Sequence, residues 1–188
     1  DSCADIPPAA LKKHPIYVLP LQIIFPDGAF ADGVDITPDE VYRRIKTQAP
    51  KTSLPEGASV VQTLEKIRAD GYERVIAVML SGGLSGTCNL VRLAAGHFSG
   101  LEIQVFDSLS GSLGCGITLL HLAELIACGR TWPQLLDILP RLMAGTRVFF
   151  CVNTLEYLRR GGRIGLISSV AGTMLQMKPI LTFAPPRE

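Results

Sequence analysis

Residues 74–80 form a short, nearly all-apolar run that ends at a turn rich in glycine and hydroxyls. A run of this kind, with no polar alternation, fits a strand covered by helices on both faces, as in a parallel sheet. The turn after it is Ser81-Gly82-Gly83-Leu84-Ser85-Gly86-Thr87, and a helical segment continues from there to about Gly96. The same order then recurs. Residues 101–106 read as a strand, residues 107–112 as a second hydroxyl-rich turn, and residues 113–128 as a very apolar helix stopped by Gly129. Residues 147–152 read as a third buried strand, with Asn153 and Thr154 capping a helix at 155–160. Strands alternating with helices of this length are the pattern of βαβ units. The expected class is therefore α/β, a mainly parallel sheet flanked by helices.

The flanking segments add local signals. Residues 16–24 are β-rich but contain Pro20, which predicts an edge strand or an irregular one. Asp27-Gly28 reads as a turn. Thr37-Pro38-Asp39-Glu40 predicts a capped helix start, and that helix ends before Pro50. Residues 59–70 form another helix, with Val60, Leu64 and Ile67 along one side. Thr131-Trp132-Pro133 opens a helix that Pro140 should kink. After Gly161-Gly162 an apolar segment runs to Met177, and residues 180–183 read as a strand. The chain changes character near Thr146. This divides it into an N-terminal α/β domain at 1–145 and the start of a second α/β domain at 146–188.

Composition excludes several classes. With 188 residues, 47% of them apolar and 19% charged, the chain can bury a core and does not read as disordered. A net charge of +1 gives no footprint for nucleic acid or an acidic membrane surface. The longest apolar stretch, 117–128, is interrupted by Thr118, His121 and Glu124 and is too short to span a bilayer. The five cysteines show no C-x-x-C spacing, and Cys115, Cys128 and Cys151 lie in apolar segments. They are expected to be buried or half-buried reduced thiols, which with no leader at the start predicts a cytoplasmic protein.

The chemistry sits in the turns. In an open parallel sheet the turns after the strands share one edge, where ligands bind. The glycine-rich turn at 81–87 exposes backbone N–H groups at a helix start, an arrangement suited to an anion, with hydroxyls from Ser81, Ser85 and Thr87. A tight turn with an N-capping serine explains the same residues. Pro50-Lys51-Thr52-Ser53-Leu54-Pro55 pins two hydroxyls in a short extended loop, and a plain connector is the other reading.

No phosphate-binding G-x-x-x-x-G-K-[ST] is present. Ser85 does not sit in G-x-S-x-G, because Thr87 stands at the last position. His14, His97 and His121 lack metal-ligand spacing, and His121 reads as a core histidine on an apolar helix. No carboxylate pair stands out. This inventory favours binding an anion over catalysis. The competing reading is an enzyme for a small carboxylated or phosphorylated substrate, with Ser81 or Ser85 as nucleophile. The helix at 113–128 is apolar nearly all round, as a fully buried helix must be. Met143, Met174 and Met177 add adaptable surface. A tunnel for an acyl chain and ordinary core packing both account for these residues.

Several motifs, in order, resemble the DegV family of fatty-acid-binding proteins. They are Asp1-Ser2-Cys3-Ala4-Asp5-Ile6-Pro7, Asp32-Gly33-Val34-Asp35-Ile36-Thr37-Pro38, Lys51-Thr52-Ser53-Leu54-Pro55, Gly83-Leu84-Ser85-Gly86-Thr87 and Asp107-Ser108. The likeness continues through Asn153-Thr154-Leu155-Glu156-Tyr157-Leu158-Arg159-Arg160-Gly161-Gly162-Arg163-Ile164 to Lys178-Pro179-Ile180-Leu181. The resemblance implies a non-catalytic, two-domain α/β protein that needs no cofactor. It buries a long-chain fatty acid and presents its carboxylate to a fatty-acid kinase for phospholipid synthesis. By motif, Thr52, Ser53, Ser81, Gly82 and Ser85 would form the ligand site. Arg163 would serve the carboxylate end or dock the kinase.

The sequence departs from the family pattern at two residues. Gly82 replaces the second of two serines, so that contact would pass to Ser81, a backbone N–H or a water. Cys3 replaces a threonine. The resemblance also places a strand ahead of Asp1, and further chain with a carboxylate-binding histidine beyond Leu181.

Overall fold

The computed structural model describes residues 1–166 and 178–183, and the expectations for Met174 and Met177 lie outside them. A 3₁₀ turn at Ser2–Ala4 opens the chain. It is followed by α1 (Pro8–Leu11), β1 (Gln22–Phe25), β2 (Gly28–Ala31), α2 (Pro38–Arg44), β3 (Lys51–Ser53), α3 (Gly57–Ala69) and β4 (Arg74–Met79). Then come α4 (Thr87–His97), β5 (Glu102–Asp107), α5 (Leu113–Ala127), α6 (Trp132–Gly145), β6 (Phe149–Cys151), α7 (Glu156–Arg160), a 3₁₀ turn at Ile164–Leu166 and β7 (Ile180–Thr182). Among the described residues, no helix is long and apolar enough to cross a membrane.

β4 and β5 pair in parallel, from Arg74 opposite Glu102 to Met79 opposite Asp107. Both faces of β4 are covered, which explains its unbroken apolar sequence. Val75, Ala77 and Met79 join Val60, Leu64 and Ile67 of α3 and Val91 of α4 in one core cluster. Ile76 and Val78 join Leu122 of α5 and Leu135 and Leu139 of α6 in a second. Burying one such side chain contributes about 1.5–3 kcal/mol. Helix starts follow their caps. The Thr37 Oγ1 accepts a hydrogen bond from the Glu40 N–H at 3.3 Å, and Thr131 forms a capping box with Gln134. Pro140 lies inside α6.

The other two sheets are antiparallel. In one, β1 lies between β2 and β3. β1 begins beyond Pro20, so the edge or irregular strand expected at 16–24 is instead a four-residue central strand, with no ladder donor lost to proline. In the other, β6 pairs with β7 rather than extending the parallel pair. The expected third buried strand is therefore an exposed one, with Phe149 at 69% exposure. A short apolar run does not specify what it packs against.

α5 corrects the sequence reading in the same way. Cys115, Leu122 and Ala123 are buried, but Leu113 and Ile117 are each 61% exposed and His121 is exposed too. A helix that is apolar all round carries no mark of which face its neighbours cover. Cys128 and Cys151 are likewise exposed, and only Cys88 and Cys115 are fully buried.

The opening residues are fastened to the end of β4. The buried Asp1 carboxylate accepts hydrogen bonds from the Leu80 N–H at 2.9 Å and the Cys3 N–H at 3.1 Å. The Ser2 N–H donates to the Leu19 carbonyl at 2.8 Å, and the Ser2 Oγ accepts from the Leu21 N–H at 3.1 Å. α5 lies close behind this turn. A Cβ at Gly116 would fall 2.3 Å from the Ala4 carbonyl oxygen. Cys3 is thereby set between β4, α5 and the antiparallel sheet.

Candidate functional site

The C-terminal ends of β4 and β5 lead into the turns at 81–86 and 108–112. The first turn is tied from three directions. The Ser81 N–H donates to the Ser110 carbonyl at 2.7 Å, and the Gly82 N–H donates to the Asp107 carboxylate at 3.0 Å. The Arg163 Nε donates to the Leu84 carbonyl at 3.1 Å. Inside the turn, the Ser81 Oγ accepts from the Gly83 N–H at 3.3 Å. The Ser85 Oγ lies 2.9 Å from the Thr87 Oγ1 and accepts from the Thr87 N–H at 3.3 Å, so it caps the start of α4.

β3 forms the facing wall. The segment expected as an extended loop between prolines is an edge strand, with Pro50 and Pro55 outside its bounds. Thr52 pairs with Ile23, Lys51 with Ile24 and Ser53 with Gln22. Side chains alternate along a strand, so Thr52 shares the face of Ile23 and Leu21, while Lys51 and Ser53 share the face of Ile24 and Gln22.

α7 and the residues after it close the third side. Glu156 accepts hydrogen bonds from Arg159 at 2.9 Å and Arg160 at 2.8 Å. Arg159 first, then Arg160, hold the Glu156 carboxyl below the usual glutamate range. The Arg163 Nη1 donates to the Gly161 carbonyl at 2.6 Å. Arg163 thus bridges the strand-end turn and the segment after α7.

Between these walls lies a cavity of about 700 Å³, inside the range of roughly 300–1,000 Å³ typical of small-molecule sites. Leu21, Ile45, Leu54, Leu80, Leu84 and Leu158 make its apolar surface. Thr52, Ser53, Ser85 and Tyr157 bring hydroxyl-bearing residues to it, and Lys51, Arg160 and Arg163 are its cationic residues. Among the described residues, no aspartate or glutamate lines it. Cys3 also lines it, and burial pushes its thiol above the ordinary cysteine value, so it is neutral at neutral pH.

Of the residues expected from sequence, Thr52, Ser53, Ser85 and Arg163 line this cavity. Ser81 and Gly82 belong to the same turn but are not among the lining residues. Tyr157, Arg160 and Asp107 were not among the residues expected at the site. Tyr157 and Arg160 flank Leu158 on the short helix before Gly161-Gly162, and that helix-and-glycine break was the signal available. Among the described residues, the Ser81 Oγ and the Ser85 Oγ hydrogen-bond within their own turn, to the Gly83 N–H and to Thr87.

Fold and site together define a mixed α/β protein with an apolar, cation-bearing cavity at the strand ends. The DegV family model matches residues 1–187, and the chain belongs to that family. A DegV domain-containing protein of Clostridium acetobutylicum is 36% identical over 182 residues, which cover 97% of this chain and 65% of that protein. DegV, a fatty acid binding protein from Bacillus subtilis, superimposes with a TM-score of 0.88 at 30% identity, covering 98% of this chain and 66% of that one. A DegV family protein from Thermus thermophilus, described by its fatty acid binding, gives a TM-score of 0.86 at 33% identity, covering 98% and 66%. The chain therefore spans about two thirds of the length of these relatives.

Proposed function

We propose that this protein is a fatty-acid carrier. It buries the acyl chain in the 700 Å³ cavity and presents the carboxylate to a separate acyl kinase for phospholipid synthesis. One observation carries the reading: apolar walls, hydroxyl-bearing residues and cationic residues line one cavity, with no acidic residue among its described lining residues. Each buried methylene contributes about 0.8 kcal/mol, so chain length sets affinity while the polar end sets orientation. Family membership supports the reading, as does the description of the Bacillus subtilis and Thermus thermophilus proteins as binding fatty acids.

In this reading Thr52 donates its hydroxyl to the ligand carboxylate, and Ser53, Ser81 and Ser85 shape the polar end. Arg163 stands where the carboxylate, or the acyl phosphate made from it, would emerge. The protein supplies no catalytic group or cofactor, works in the cytoplasm and binds no nucleic acid. In the same reading, a second α/β domain starts at residue 146.

Native mass spectrometry followed by lipid extraction tests the proposal. One long-chain fatty acid per chain is expected, and an ATP-dependent fatty-acid kinase should phosphorylate it. Protein that stays empty after incubation with a series of saturated and unsaturated fatty acids would overturn the carrier reading.

A further inference from the structure

Asp107 is the last residue of β5 and lies opposite Met79, the last residue of β4. Its carboxylate serves two turns at once. One oxygen accepts from the Leu109 N–H at 2.9 Å, and the other accepts from the Gly82 N–H at 3.0 Å. The space this requires exists only because residue 82 has no side chain. A Cβ built on Gly82 would lie 2.6 Å from that same carboxylate oxygen and 3.7 Å from the carbon that carries it. A carboxylate is not the compliant end of a long chain. Asp107 has one rotatable bond before the carboxyl carbon, and both oxygens are already engaged.

We propose that Asp107 is a positioning residue for the 81–86 turn and so fixes the polar end of the cavity. Asp107 is not among the residues lining the cavity, whereas Leu80, Leu84 and Ser85, on either side of Gly82, are. It therefore acts through the turn and does not touch the ligand. The pairing also settles what replaces a hydroxyl at position 82. The Gly82 N–H is already held by Asp107, so it is not the donor that meets an incoming carboxylate. That task falls to hydroxyls such as that of Thr52.

The inference rests on the carrier reading only for its ligand-binding arm. The first test needs no ligand. Amide hydrogen exchange at Gly82 in the 188-residue chain should speed up at least tenfold in Asp107→Ala, while the Val78 amide in β4 keeps its protection. Asp107→Asn retains one acceptor and should fall between the two. Unchanged exchange at Gly82 in Asp107→Ala would overturn the pairing.

The second test is a titration with a fluorescent polyene fatty acid. Asp107→Ala should weaken binding about tenfold, whereas Asp107→Asn, which keeps one acceptor, should lose less. Unchanged affinity in Asp107→Ala would refute the proposal. If the unmodified chain binds no probe, the carrier reading fails and the exchange experiment alone decides the role of Asp107.

Discussion

Replacing Gly116 with alanine tests how closely α5 must approach the turn that carries Cys3. The new Cβ would lie 2.3 Å from the Ala4 carbonyl oxygen, against a practical floor of 3.0 Å, so the two must separate by at least 0.7 Å. The obstacle is main chain, and it is anchored on both sides. Asp1 holds the turn to Leu80, and the Ser112 hydroxyl donates to the Asp5 carboxylate at 2.6 Å. Overpacking of this kind costs about 3 kcal/mol, the upper part of its usual span. Alanine regains about 1 kcal/mol of helix propensity over glycine. The net loss is about 2 kcal/mol, or about 4–8 °C in Tm for a chain of this size.

Gly96 in α4 is the matched control, because a Cβ there meets nothing within 4 Å. Gly96→Ala should raise Tm by about 2–4 °C through propensity alone. Differential scanning calorimetry of both variants gives the comparison. If Gly116→Ala matched the unmodified protein while Gly96→Ala gained stability, close approach of α5 to the opening turn would be refuted.

Three more variants probe the site and the core. Thr52→Val should weaken fatty-acid binding without lowering Tm, by roughly 1.5–3 kcal/mol for the lost hydrogen bond to a charged group; unchanged affinity in a titration would dismiss this site assignment. Ser53→Ala should cost much less than Thr52→Val in the same titration, because the register places Ser53 on the other face of β3; equal losses would contradict that register. Burial raises the Cys115 thiol to about 11 from 9.0. The native state thus holds its proton where the unfolded state has lost it, so stability is full below pH 9 and falls by about 3 kcal/mol as pH rises to 11. Urea unfolding across this range should show a smaller fall in Cys115→Ala than in the unmodified protein, and equal falls would contradict the role of this thiol.

The covered pair β4–β5 was legible because an unbroken apolar run leading into a glycine-rich turn is seldom anything but a buried parallel strand. Caps at Thr37 and Thr131 were legible for a local reason too: the signal and its partner lie within three residues of each other. What packs against what was not. Leu113, Ile117 and His121 look like core residues on any helical plot, and only their tertiary surroundings expose them. The lining of the candidate cavity was partly legible, since Thr52 and Arg163 belong to motifs. The Gly82–Asp107 pairing joins residues 25 positions apart through a rotamer, and no spacing rule encodes it. Family likeness flagged Gly82 as a departure, while the structure supplied the carboxylate that fills the room.

β3 is three residues long and sits at a sheet edge, where pairing is least tightly enforced. A slip of one residue along β1 would turn every side chain of β3 to the opposite face. Thr52 would leave the cavity face, but a neighbour would replace it. In one direction that neighbour is Ser53, another hydroxyl, and in the other it is Lys51, a cation. Either substitute still offers a donor to an anion. Three consecutive donor-bearing residues would thus keep a donor on the cavity face through an error in strand alignment.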